Sequence, residues 1–146
     1  MPDHCPRCQH ALPTAANYCP ACGVSIVLAA TGEHPAVDFE RFFIYGIDLM
    51  CLAGTDAQFL VVNPAFERAL GYSAAELCSQ PFTNFVHPHD RDATVAEVAR
   101  LSDGTTTLAF TNRYRCADGR YVRLHWRAFP EPGTGLIYAT ARVVPA

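Results

Sequence analysis

The sequence predicts an α+β protein: a five-stranded antiparallel sheet with helices grouped on one face, preceded by a small module held by cysteines. Three observations carry this. The larger part of the chain reads strand, strand, several short helices, then three long strands in succession. Consecutive hairpins at the end force antiparallel pairing and leave the helices to one face. Four of the seven cysteines fall within residues 5–22, a stretch with too little apolar volume to form a core of its own.

That stretch carries Cys5-Pro6-Arg7-Cys8, a gap of ten residues, then Cys19-Pro20-Ala21-Cys22-Gly23. A two-residue gap lets both thiolates of a pair point at one ion from a tight turn. Two such pairs complete the tetrahedral sulfur site that Zn²⁺ prefers. The spacing predicts Cys5, Cys8, Cys19 and Cys22 as ligands of one structural Zn²⁺, closed to water and therefore not catalytic. His4 and His10 flank the cluster but are not needed once four sulfurs bind. Gly23 is expected to bring its amide close to a coordinated sulfur, and Gln9 at the matching place predicts a less regular first turn. A redox dithiol belongs beside a βαβ pattern, which is absent here. The repeated Cys-Pro-x-Cys resembles the short zinc-ribbon modules near the termini of many bacterial proteins, and residues 1–27 read as such a ribbon.

Residues 28–36, rich in small residues and turn formers, read as a linker. Residues 37–144 then read as one unit. Asp38 can cap a short helix through Tyr45, stopped by Gly46. Residues 48–53 and 58–62 form two strands around the Gly54-Thr55-Asp56 turn. Asn63-Pro64 opens a helix through Leu70, with Gly71 as its stop. Ser73 and Glu76 form a capping box. A longer helix spans Asp90 to Leu101, with Val95, Val98 and Leu101 on one face. Three strands follow, near 105–116, 121–130 and 135–144, the first two joined at Asp118-Gly119, a strong hairpin signal.

Composition narrows the function classes. The net charge is −3 and all eleven basic residues are arginine, without the clustered excess of a nucleic-acid surface. Residues 1–27 hold one arginine and one aspartate, too little for phosphate contacts. The N-terminus lacks the basic and apolar parts of a secretory signal. The longest candidate membrane run, Val24–Ala30, has seven residues against the roughly 20 a spanning helix needs. A soluble, cytoplasmic protein is expected, with Cys51, Cys78 and Cys116 as buried or half-buried thiols rather than disulfides.

Several segments in order resemble the PAS family over nearly all of residues 37–144. They are Asp48-Leu49-Met50-Cys51-Leu52-Ala53; Phe59 to Glu67 with Leu70-Gly71-Tyr72-Ser73; Pro81-Phe82 with Phe85-Val86-His87-Pro88-His89-Asp90-Arg91; Asn112-Arg113-Tyr114-Arg115 with Asp118-Gly119; Trp126; and Gly135-Leu136-Ile137-Tyr138. The resemblance implies a PAS fold and a sensory module that binds a small ligand between helices and sheet, or pairs with a protein partner or a second copy. Flavin-binding members carry an Asn-Cys-Arg motif, which Leu77-Cys78-Ser79-Gln80 does not match. Haem-binding members place a histidine on the long helix, which has none here, and His87-Pro88-His89-Asp90 looks like a capping turn. Zn²⁺ is therefore the expected cofactor, without haem or flavin. Members that pass signals usually end the last strand with an acidic residue and Thr or Ser before an output domain. Here Ala141-Arg142-Val143-Val144-Pro145-Ala146 follows, which leaves an adaptor acting through partners or a piece of a larger sensor.

Candidates for the interior or a ligand pocket are Leu60, Phe66, Leu70, Phe85, Leu108, Phe110, Leu124 and Trp126, all needed for a core in any case. Phe39, Phe42 and Phe43 crowd a helix too short to stand alone and make a candidate dimer surface. They lie beside an outer sheet face expected to carry Arg113, Arg115, Arg123 and Arg127, whose heads need water or carboxylates. No nucleophile, base and orienter recur at recognisable spacing, and Cys116 with His125 is the only pair worth naming. The leading expectation is a non-enzymatic signalling adaptor. The alternative is a transcription-associated or nucleic-acid-binding zinc-ribbon regulator.

Overall fold

The computed structural model describes residues 3–14, 17–23 and 39–145, in two compact units, Met1–Phe39 and Glu40–Ala146. The expected linker 28–36 and the cap at Asp38 lie outside the described residues.

The second unit is built on one sheet. Its elements are α1 (Phe39–Ile44), β1 (Leu49–Gly54), β2 (Phe59–Val62), α2 (Pro64–Leu70), α3 (Ala74–Cys78), α4 (Arg91–Ser102), β3 (Thr107–Arg115), β4 (Tyr121–Pro130) and β5 (Leu136–Val144), with two 3₁₀ turns, Phe82–Asn84 and Pro88–Asp90, before α4. The strand order is β2-β1-β5-β4-β3, and every neighbouring pair is antiparallel. The first and last strands thus lie side by side at the centre. The local signals explain the joints. Ser73 Oγ accepts from the Glu76 amide at 3.1 Å while Glu76 accepts from the Ser73 amide at 2.8 Å, the reciprocal box that starts α3. Asp118 accepts from the Arg120 amide, and Gly119 takes φ 90° in the β3–β4 turn.

Alternation along the strands sends Leu49, Cys51, Ala53, Leu124, Trp126, Ile137 and Ala141 inward, where they are buried with Phe66, Leu70, Phe85 and Leu101. Two interior candidates do not follow. Leu60 is 51% exposed and Leu108 is 71% exposed. Both lie where the ladder slips. Leu52 pairs with Val61 and Ala53 with Phe59, which leaves Leu60 as an extra residue; Thr107 pairs with Ala128 and Phe110 with Trp126, which leaves an extra residue among 108–109. A bulge of one residue turns the following side chain to the other face, so counting by twos from Phe110 misplaces Leu108. Val95 is also outside, at 55% exposed, because α4 turns Thr94, Val98 and Leu101 to the core instead.

The free edge of β3 is covered by residues 85–90. The Arg115 amide donates to the Phe85 carbonyl and the His87 amide to the Arg113 carbonyl, both at 2.8 Å. Asp90 closes the row by accepting from the Arg113 amide at 2.8 Å and from its guanidinium at 2.9 and 2.7 Å. Covering an edge in this way removes a template for unwanted strand pairing. The Arg113 guanidinium beside Asp90 holds its carboxyl at about 2, below the usual 3.8. A carboxylate with a depressed folded pKa stabilises above its unfolded value and ceases to as pH falls through the folded one. The Asp90–Arg113 contribution is therefore complete above about pH 5 and lost as pH falls through about 2. Arg113 is partly exposed, so solvent screening limits the effect, and Asp90→Asn should cost about 1–2 kcal/mol at pH 7. Denaturant melts at pH 6 and pH 2.5 check it: the wild type should lose more stability between them than the variant, and equal losses would contradict the pairing.

Among the described residues, no helix is long and apolar enough to cross a membrane.

Candidate functional site

In the first unit, the two Cys-Pro-x-Cys turns face each other. The Sγ atoms of Cys5, Cys8, Cys19 and Cys22 all lie within 4.8 Å of one another, with Cys5–Cys22 and Cys8–Cys19 both at 3.6 Å. An ion bound about 2.3 Å from four sulfurs at tetrahedral corners needs sulfur–sulfur edges of about 3.8 Å, so the set has the right size. Cys5 and Cys19 are buried, while Cys22 is half-buried and Cys8 exposed. The amides of Arg7 and Cys8 point at Cys5 Sγ, and the amide of Ala21 points at Cys19 Sγ, at 3.4–3.5 Å. Burial pushes the Cys5 thiol up, but the Cys8 and Arg7 amides and the neighbouring thiols outweigh it and hold the group at about 6.

The two turns are alike, against the expectation that Gln9 would disturb the first. Gln9 takes φ 61° where Gly23 takes φ 71°. Each amide closes its turn on the carbonyl of the first cysteine: Gln9 to Cys5 at 2.9 Å, and Gly23 to Cys19 at 2.8 Å. Gly23 thus serves the backbone, and the sulfur contacts come from residues earlier in each turn. A non-glycine residue in this left-handed region costs about 1 kcal/mol, which the cluster's closure offsets. The His4↔Ala11 bridge and the Leu12 amide bonded to the Asp3 carbonyl tie the first turn's ends together.

In the second unit, helices and sheet border a half-open pocket of about 60 Å³. Its floor is one row across four strands, Cys51, Ala139, Ala128 and Thr107, in direct register. Small side chains in consecutive strands leave the gap; Phe59, Phe82, Phe110, Tyr114 and Trp126 wall it, and α4 closes it with Thr94, Glu97, Val98 and Leu101. The polar groups are tied in a chain. Trp126 Nε1 donates to Asn112 Oδ1 at 2.8 Å, Asn112 Nδ2 donates to Thr94 Oγ1 at 3.1 Å, and Thr94 Oγ1 donates to the Asp90 carbonyl at 2.7 Å. Thr107 donates to Glu97, whose carboxylate also holds Arg100. Tyr114 is 2% exposed. Burial, with Cys51 nearby, pushes that phenol well above its usual pKa, and burial likewise raises the Cys51 thiol, so both keep their protons.

Of the interior candidates, Phe110 and Trp126 line this cavity. Phe66, Leu70, Phe85 and Leu124 are buried away from it, and Leu60 and Leu108 lie outside. Tyr114, Asn112 and Cys51 also line it, and large apolar size does not single them out in the sequence. Strand alternation with Phe110 places Asn112 and Tyr114 on the same face and was signal enough. His87 does not reach the cavity: its Nδ1 accepts from the His89 amide at 3.1 Å, capping the turn, and its ring meets Tyr121. Cys116 and His125 are not brought together, since Cys116 Sγ faces the Ala69 carbonyl and His125 pairs with Thr111.

The outer face of the sheet divides along the strands. One row runs Arg113–Arg123–Val144, the next Thr111–His125–Arg142, and a later one Phe129–Tyr138–Leu52–Val61. Arg113 is held by Asp90, Arg115 by Tyr72 and Arg142 by Asp48. The apolar end lines a shallow groove of about 490 Å³ with Phe43 and Leu108 at its sides. The three phenylalanines of α1 do not act alike. Phe43 is half-buried at this groove, Phe42 is 67% exposed, and the side chain of Phe39 lies outside the described residues.

The comparisons match this architecture, a sheet ordered β2-β1-β5-β4-β3 with helices over a small-residue floor. The PAS fold model matches residues 59–135, more than half of the chain, and the chain belongs to the PAS family. A domain of a sensory box sensor histidine kinase/response regulator from Geobacter sulfurreducens is 24% identical with TM-score 0.62, over 71% of this chain and 90% of that one. The PAS domain of a Colwellia psychrerythraea protein is 17% identical with TM-score 0.64, over 73% and 93%. A Rhodobacter sphaeroides LOV protein is 15% identical with TM-score 0.60, over 74% and 69%. No curated protein matches the chain.

Proposed function

We propose that this chain is a non-enzymatic sensory adaptor: the PAS unit senses a small ligand and pairs with a second copy, and a Zn²⁺ held by Cys5, Cys8, Cys19 and Cys22 maintains the ribbon. The family's sensory and signalling members support the sensing role. Four thiols at tetrahedral spacing, with backbone amides turned to the buried sulfurs, support Zn²⁺.

The observation that carries the adaptor reading is the apolar end of the outer sheet face. Leu108 is 71%, Phe129 55%, Tyr138 47% and Val61 46% exposed, in one patch with Phe43 at its side. Contiguous apolar surface of this kind marks an interaction site. Light scattering at tens of micromolar tests it. A dimer is expected for the wild type and a folded monomer for the Leu108→Asp, Phe129→Asp double variant. A monomeric wild type would refute self-pairing.

A further inference from the structure

We infer that the second copy docks on the outer sheet face about a two-fold axis crossing β4 at Phe129, so that Arg127 of each protomer meets the partner's Glu131; this rests on the self-pairing reading above. The strand pattern comes first. The register of β4 with β5 runs unbroken from Arg123 to Pro130, and the Glu131 amide continues it by donating to the Leu136 carbonyl at 2.9 Å. Alternation places Arg127, Phe129 and Glu131 on one face, where the Tyr138 hydroxyl donates to Glu131 Oε2 at 3.4 Å. Arg127 and Glu131 each lie about 7 Å from Phe129 along the strand. A cation and a carboxylate thus stand at equal distances on either side of an exposed ring.

Charge comes next. Arg127 lines the apolar groove, and no carboxylate lines it. Among the described residues Arg127 has no ion-pair partner. Any apolar surface that covers the groove strips water from this guanidinium, which is costly unless a carboxylate arrives with it. Glu131 is held by two neutral hydroxyls, of Thr134 and Tyr138, and a carboxylate has room for further donors. Symmetry then selects the axis. In an isologous pair the same patch serves both protomers. With two sheets face to face, an axis along β4 would stack Arg127 on the partner's Arg127. An axis across β4, in the plane between the sheets, reverses the strand direction and brings Arg127 over the partner's Glu131 twice. That axis follows the row Phe129–Tyr138–Leu52–Val61, so the apolar row meets its own copy. The flanking rows fit as well: Thr140 and Met50, beside Arg127, face Leu136 and Gly54, beside Glu131.

Sedimentation equilibrium on the zinc-loaded full chain tests the axis by charge reversal. Arg127→Glu alone and Glu131→Arg alone should each weaken the dimer about a hundredfold. Each reversal makes two like-charge contacts per dimer, at about tenfold per contact. An equimolar mixture of the two variants should regain wild-type affinity as a heterodimer, and the Arg127→Glu, Glu131→Arg double variant should regain it as a homodimer. If a reversal loses its dispersed amide spectrum, Arg127→Gln takes its place, with about tenfold weakening expected. A wild-type dimer that neither reversal weakens would overturn the axis and leave self-pairing intact. Two weakened variants that fail to rescue each other on mixing would overturn it too. A wild-type monomer would overturn both this inference and the self-pairing reading.

Discussion

Chelating the metal is expected to unfold residues 3–23 and leave the sheet of the second unit intact. Among the described residues of the first unit, Leu12 packs with Cys5, Cys19 and Cys22, and little else joins them. Structural Zn²⁺ contributes about 10–16 kcal/mol of apparent free energy to comparable small modules, more than the whole stability of most domains. Removing it leaves the turns at Gln9 and Gly23 nothing to close on. Cys19→Ser should act in the same direction, because Cys19 is both buried and the acceptor of the Ala21 amide. Elemental analysis should find one zinc per chain. NMR should show amides of residues 3–23 collapsing to the random-coil range on chelation while those of β1–β5 stay dispersed. Joint loss of both sets would show that the units do not fold independently, and a zinc-free but ordered first unit would refute the metal.

Asn63→Ala is expected to destabilise the PAS unit by about 3 kcal/mol and to release α1 from the sheet. Asn63 is 1% exposed. Its Oδ1 accepts from the Met50 amide at 2.9 Å, and its Nδ2 donates to the carbonyls of Phe43 and Asp48, both at 3.0 Å. Each such bond contributes on the order of 1 kcal/mol, and leaving its partner buried and unpaired costs at least as much. These bonds replace the helix-capping role: Asn63 stands at the N-cap of α2, but its side chain makes no capping bond there. The same corner is tight at Gly46, where an added Cβ would come within 2.7 Å of the Met50 sulfur, 3.1 Å of the Phe42 carbonyl oxygen and 3.2 Å of Asn63 Nδ2. Denaturant unfolding measures the loss, and hydrogen exchange at residues 43–50 locates it. A change below 1 kcal/mol would show that water takes over the three bonds.

The four-cysteine cluster was legible because its chemistry is local. Two Cys-Pro-x-Cys turns specify four thiols that can converge by spacing alone, and the fold needed only to bring the turns together. The order of strands and helices was legible for a similar reason: the Ser73–Glu76 box, the Asn63-Pro64 start and the Asp118-Gly119 turn each act within a few residues. The side chosen by Leu60 and Leu108 was not legible. A bulge depends on how one strand registers against its neighbour, and a single extra residue inverts the pattern that alternation predicts. The cavity belongs to the same category. Cys51, Ala128 and Ala139 are unremarkable as residues and form a floor only because β1, β5 and β4 align them in one row. Asn63 was read from sequence as a helix start, but tertiary structure turned its amide to α1 and β1, since buried carbonyls there outcompete an exposed helix end for it. What the sequence determined by itself was the chemistry available within a turn; what only the tertiary structure decided was which distant side chains share a face, because that depends on inter-strand register.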